Sequence, residues 1–137
     1  MKTNSLSNAT LRAFLLQVKQ NYRNNPYHNF RHAFDVTQMA YALSTKTQLG
    51  QQLQPLERFA LILTAVCHDL EHGGKSNDFL SNTASPLALI YNGRSVNENH
   101  HCCMTFKLMR DPKLDMLAGL TNEQKRDMRK KMVSLFL

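Results

Sequence analysis

The sequence predicts an all-α fold, and three observations carry the prediction. Apolar residues recur at helical spacing in one segment after another, helix start and stop signals bracket those segments, and no run alternates β-branched or aromatic residues as a strand would. In the first segment Thr10 precedes Leu11, Phe14, Leu15, Val18 and Tyr22, and Pro26 follows "NN", so a helix is expected over 11–24. Residues 1–9 are expected to form a flexible tail and 10–137 a single domain. A second helix begins near Asn29 and carries His32, Val36, Met39, Ala40 and Leu43 along one face until the polar "STKTQLGQQLQ".

Pro55 opens the third helix, whose stripe is Leu56, Phe59, Ala60, Leu63 and Cys67. Leu61, Ile62 and Ala65 fill its far side, and "HGG" stops it. Ser85-Pro86 reads as an N-cap and first-turn proline for a short helix through Tyr91. Ser95 begins a longer one, about 96–110, that Asp111-Pro112 ends, with Ser95-x-x-Glu98 as a capping box. Thr121 with Gln124 makes a second capping box for a last helix, which runs into "MVSLFL" with no glycine and no polar ending. That apolar end is expected to mark a truncated chain whose last helix lacks a partner surface. An exposed apolar helix end invites association, with the missing remainder of a domain or with a second copy as a homo-oligomer.

Bulk properties narrow the function classes. At 137 residues, 42% apolar, the chain has the length of one domain and can bury a core. No stretch approaches the roughly 18 apolar residues of a membrane span, and "MKTNSLSNAT" lacks the apolar core of a signal peptide, so a cytoplasmic protein is expected. Three cysteines, two of them adjacent, suggest neither a disulfide framework nor a thiolate zinc site; they are expected to be small buried apolar residues. The net charge of +7 (17 basic minus 10 acidic) could favour an anionic partner. Much of it lies in "KRDMRKK" (125–131), where basic residues alternate with Met128 and Met132 at helical spacing; a solvated helix face is preferred to a nucleic-acid surface.

The chemistry concentrates in six histidines. Four of them, with Asp69, form two compact groups, "YHNFRH" (27–32) and "HDLEH" (68–72). The second group closes "FALILTAVC", a helix apolar on all faces and therefore buried, where an ionised side chain must be paired, neutralised or bound to metal. Within each group the histidines are four apart, a spacing that stacks them on one helix face. Imidazole and carboxylate suit zinc, iron or manganese, and a His/Asp set without thiolate points to a catalytic site.

"NPYHNFRHAFDVTQ" (25–38), "CHDLEHGGKSNDF" (67–79) and "YNGRSVNENHH" (91–101) resemble successive signatures of the class I cyclic-nucleotide phosphodiesterase catalytic domain, a multi-helical HD-type metallophosphohydrolase fold. Their order and spacing agree too, with 40 residues from His28 to His68 and 70 from His28 to Glu98. The likeness runs from about residue 10 to the end and implies the N-terminal part of that domain. Another His-Asp metallophosphohydrolase is the alternative that "YHNFRH" and "NENHH" argue against.

The resemblance implies hydrolysis of cAMP or cGMP to the 5′-monophosphate in signal transduction, with two divalent ions, Zn2+ in the tight site and Mg2+ in the second. It makes His32, His68 and Asp69 the metal ligands, with Asp69 bridging both ions. His28 becomes the general acid that protonates the leaving 3′-oxygen, although spacing alone would make it a ligand beside His32. Glu98 becomes its carboxylate partner, which would raise the His28 pKa. Tyr27, His72 and Asn77 match positions lining the phosphate and nucleoside end of the pocket; by their local sequence alone they read equally as core, helix C-terminal cap and helix cap. His100 and His101 are expected to play a supporting part. Glu71 stands where many relatives have Asp, and the calmodulin-regulated class has Glu in a similar context; no subclass is assigned. The family's fourth ligand, an aspartate, and its base-binding residues lie downstream of Leu137. A chain of these residues alone is expected to bind metal weakly, and the competing expectation is a catalytically inactive fragment acting as a binding module.

Overall fold

In the computed structural model, which describes residues 6–137, every stretch of regular structure is helical. Capping side chains set most of the boundaries. Ser7 Oγ accepts the Thr10 amide and starts α1 (Asn8–Asn21), and Asn29 Oδ1 accepts the His32 amide at the head of α2 (Phe30–Lys46). Thr47 starts the single turn of α3 (Gln48–Gln51). α4 (Pro55–Cys67) has proline at its first position and a Gln54–Glu57 capping box. Ser76 and Ser85 cap α5 (Asn77–Asn82) and α6 (Pro86–Ile90), and α7 (Val96–Leu108) precedes α8 (Asn122–Phe136) with its Thr121–Gln124 box.

Several boundaries differ from the sequence expectation. α1 takes in Asn8 and Ala9 from the expected tail because Ser7 supplies the cap, and residues 1–5 lie outside the described residues. It stops at Asn21, since Tyr22 is already extended at φ −84°, ψ 131°. α2 runs past Leu43 through polar residues whose hydroxyls fold back onto its own carbonyls: Ser44 and Thr45 donate to Tyr41, and Thr47 donates to Leu43. α3 and α5 are too short to show a period.

The expected Ser95–Glu98 capping box does not form. Ser95 is left-handed at φ 40° and gives no side-chain cap. The cap of α7 comes instead from α5, where Asn77 Oδ1 accepts the Asn97 amide at 2.9 Å.

α4 is the centre of the packing and touches α2, α8 and α7. Phe14 and Val18 of α1, Ala60, Leu63 and Cys67 of α4, and Met128, Met132 and Phe136 of α8 fill one core. The last three recur every four residues, so α8 does have a partner surface, and of the apolar residues at its end Leu135 and Leu137 stay outside. Each buried Met or Phe contributes about 1.5–3 kcal/mol. The opposite side of α8 carries exposed Arg126, Arg129 and Lys130. Local partners engage several of the charges of this helix: Lys125 reaches Asp115 at 3.2 Å, Lys131 reaches Glu57 at 3.3 Å, and Arg129, though exposed, lies 4.3 Å over Phe106.

Gly50 lets α3 lie on the end of α2, since a Cβ there would meet the Leu43 carbonyl oxygen and approach Ser44 Cα at 2.6 Å. The three cysteines are free. Cys67 and Cys102 are buried as expected, burial pushing the Cys67 thiol up to about 12, whereas Cys103 is exposed. No helix among the described residues is long and apolar enough to cross a membrane.

Candidate functional site

Both histidine groups sit at helix ends rather than along helices. α2 starts at Phe30, so His28 precedes it and only His32 is helical; α4 stops at Cys67, so His68 is its C-cap and His72 lies just past the turn that follows. The four-residue spacing therefore does not stack histidines on one helix face. The head of α2 meets the tail of α4, and each histidine pairs across the groups.

His32 Nε2 lies 3.3 Å from His68 Nε2, and Asp69 Oδ2 lies 3.4 Å and 3.1 Å from those two atoms. His28 stacks on His72 with ring centroids 3.8 Å apart and planes 3° from parallel. His28 and His72 also gather around Asp69, so one carboxylate is common to two clusters.

The His32, His68 and Asp69 donors fit a metal. The His68 Nδ1–H donates to the Ala65 carbonyl at 2.8 Å, which leaves Nε2 with its lone pair facing the other two atoms. Ligand atoms about 2.0–2.1 Å from a tetrahedral zinc lie about 3.3 Å from one another, the separation these three show. Two lone pairs and a carboxylate oxygen at such distances repel unless a cation or protons lie between them. Burial lowers the pKa of His68, but the hydrogen bonds that its protonated ring makes to Asp69 and Ala65 and the Asp69 charge outweigh it and leave the group raised. Burial raises that of Asp69, yet the hydrogen bond from His68, with the charges of His68, His101 and His28, holds it low.

Behind this corner the backbone is closely tied. Asn25 Nδ2 donates to the carbonyls of both His72 (2.7 Å) and His28 (3.1 Å), which keeps the stacked pair in register. His101 is 2% exposed; its Nδ1–H donates to the Leu70 carbonyl at 2.7 Å, and its Nε2 faces Asp69 Oδ1 at 3.8 Å. Burial pushes its pKa down to about 4, so it is a neutral support at ordinary pH. His100 pairs with Glu71 at 3.0 Å. Glu71 itself is left-handed at φ 59°, and its amide donates to the Asn21 carbonyl.

Among the described residues the hydrogen bond of Glu98 goes to Asn77 rather than to His28. Glu98 Oε2 accepts from Asn77 Nδ2 at 2.8 Å, so the Asn77 amide joins Glu98 to the cap of α7. The His28 charge is felt at Asp69, and the Glu98 charge at His72. His72 Nδ1 accepts the Gly74 amide at 2.9 Å; burial, followed by the His28 charge, lowers its pKa. Tyr27 is 64% exposed and its ring lies 4.6 Å from that of His32, so it is a surface residue rather than core. Sequence reasoning missed two polar residues of this site. Asn25 opens the motif "NPYHNFRHAFDVTQ" without being given a role there, and Tyr22 counts in the sequence only as an apolar stripe residue of the first helix.

Comparison with known proteins gives a consistent picture. A model of the 3′5′-cyclic nucleotide phosphodiesterase family matches residues 27–137. The chain is 44% identical over 128 residues to the 3′,5′-cyclic-nucleotide phosphodiesterase regA of Dictyostelium discoideum, covering 93% of this chain and 16% of that protein. It is 41% identical over 133 residues to the high affinity cGMP-specific 3′,5′-cyclic phosphodiesterase 9A of Mus musculus, covering 97% and 25%. The phosphodiesterase domain of the RhoPDE fusion protein from the choanoflagellate Salpingoeca rosetta matches with a TM-score of 0.92 at 32% identity, over 96% of this chain and 41% of that domain. The chain thus spans a quarter or less of these two curated relatives.

Proposed function

The chain belongs to the 3′5′-cyclic nucleotide phosphodiesterase family, and on that premise we propose that it carries the His-Asp corner of an enzyme hydrolysing cAMP or cGMP to the 5′-monophosphate. The observation that carries this reading is the convergence of His32 Nε2, His68 Nε2 and Asp69 Oδ2 within 3.1–3.4 Å of one another. These three would hold a zinc ion, and Asp69, shared with the His28–His72 cluster, would reach a second ion, magnesium. When bound, the ions would supply Lewis acidity toward the phosphate and a nucleophile at neutral pH.

The remaining roles belong to side chains. His28 delivers a proton from its ring to the leaving 3′-oxygen, an alkoxide that departs only with one. Its stack on His72 fixes the plane in which that proton is presented. Glu98, held by Asn77, contributes negative charge felt at His72, which partly opposes the burial and the His28 charge that lower the pKa of that ring. Exposed Tyr27 and the amide of Asn77 line the side on which a nucleotide would enter.

The test is hydrolysis of both cyclic nucleotides by the chain alone and by the chain joined to the remaining portion of a related phosphodiesterase domain, each with zinc and magnesium. Activity of the joined form is expected. Inactivity of a joined form shown to be folded and metal-loaded overturns the reading. Activity confined to it identifies the chain alone as an incomplete catalyst.

A further inference from the structure

The end of α4 departs from helical hydrogen bonding at the place where the metal ligands begin. Continued helix would send the Asp69 amide to the Ala65 carbonyl and the Leu70 amide to the Val66 carbonyl. The structure gives these groups other partners. The Asp69 amide donates to Tyr22 Oη at 3.2 Å, and the Tyr22 hydroxyl in turn donates to the Val66 carbonyl at 3.0 Å. The Leu70 amide drops back to Cys67 O at 3.0 Å. Ala65 O, released from the Asp69 amide, accepts Nδ1–H of His68 at 2.8 Å.

A phenol has one proton and acceptor lone pairs, so one hydroxyl can satisfy both backbone groups. Tyr22 is placed to do so: it is 8% exposed, it stands in extended conformation immediately after α1, and its ring packs edge-on against Phe30 at 5.9 Å. The hydroxyl carries its one proton at neutral pH and gives it to the Val66 carbonyl.

We propose that Tyr22 is a positioning residue for the metal site: its hydroxyl takes the Asp69 amide away from α4, and the carbonyl thereby freed selects the His68 tautomer whose Nε2 faces the metal. Tyr22 touches neither metal nor substrate; it acts through Asp69 and, by way of Ala65, through His68. The inference rests on the reading of His32, His68 and Asp69 as ligands.

Two measurements on the full chain test it. Nitrogen-15 NMR of the imidazoles, at a pH where they are neutral and with no metal added, reads the His68 tautomer; zinc titration reads affinity. The parent is expected to hold His68 as Nδ1–H. Tyr22→Phe, which keeps the ring and its packing, is expected to admit the Nε2–H tautomer and to weaken zinc binding by about 10–100-fold, as loss of an outer partner does. Val18→Ala, a core truncation in the last turn of α1 four residues before Tyr22, controls for lost stability and is expected to leave the tautomer unchanged and zinc affinity within about twofold.

The proposal is overturned by a parent in the Nε2–H form, by an unchanged tautomer or affinity in Tyr22→Phe, or by an equal response in Val18→Ala. A parent that binds no zinc sinks the ligand reading, while the tautomer still decides the part played by Tyr22. The parent measurement decides even where Tyr22→Phe fails to fold.

Discussion

The two histidine groups look alike in sequence and do different things in the fold. "YHNFRH" enters a helix, with His28 ahead of the cap and His32 in the first turn; "HDLEH" leaves one, with His68 as the cap and His72 beyond it. Because one group starts a helix where the other ends one, partners come from opposite groups. His32 meets His68 edge to edge with converging nitrogens, a geometry for ligation, while His28 meets His72 face to face, a geometry for holding a ring plane. The spacing of four matters because each group supplies one member to each pair.

The sharpest break in this comparison comes from Asp69, the group common to both pairs. Asp69→Ala should abolish zinc binding measured by titration, a loss larger than the roughly 10–100-fold that an outer partner costs, and should abolish turnover of the joined form. His28→Ala should separate the pairs. Turnover is expected to fall by about 10²–10⁴, the range of general acid catalysis, with metal content by elemental analysis unchanged; loss of metal would make His28 a ligand.

A smaller effect is expected from Asn77→Ala, which frees Glu98 and uncaps α7. Thermal denaturation should show a loss of about 1 kcal/mol, the usual cost of an N-cap, with zinc affinity unaffected. The smallest lies at the far end of α4, away from both groups. Hydrogen bonding to the Gln54 amide and then to Lys131 holds Glu57 below the ordinary carboxylate value of 4.5. A lowered folded pKa means stability fully present above the unfolded value and lost as pH falls through the folded one. Glu57→Gln should therefore flatten the acid limb of the stability curve below pH 4.5 and leave zinc binding alone.

Much of the fold was legible because the long helices carry their own punctuation. Pro55, Ser85-Pro86 and the Thr121–Gln124 box locate their helix starts within a residue or two, and Met128 and Met132 orient the last helix. The single-turn α3 and α5 were not legible, since a few residues cannot show a period. At the site, the resemblance indicated the trio that the structure brings together, whereas spacing alone would have added His28 to it and left partner choice open. Ser95-x-x-Glu98 has the letters of a capping box, yet a left-handed Ser95 cannot use them, and an amide twenty residues upstream takes both roles. Tyr22 and Asn25 escaped notice because their polar contacts reach backbone 44 and 47 residues away.

Glu71 imposes a design rule on this corner. Its left-handed backbone turns the chain between Leu70, which is fully buried, and His72, and its carboxylate meets His100. A replacement must satisfy two independent demands: tolerance of positive φ, which costs a side-chain-bearing residue roughly 1–2 kcal/mol, and an acceptor within reach of an imidazole. Glycine meets only the first and glutamine only the second at comparable strain. Asparagine and aspartate are the residues best able to meet both, so a library varied at position 71 should converge on a very short alphabet even if nothing is asked of it but folding.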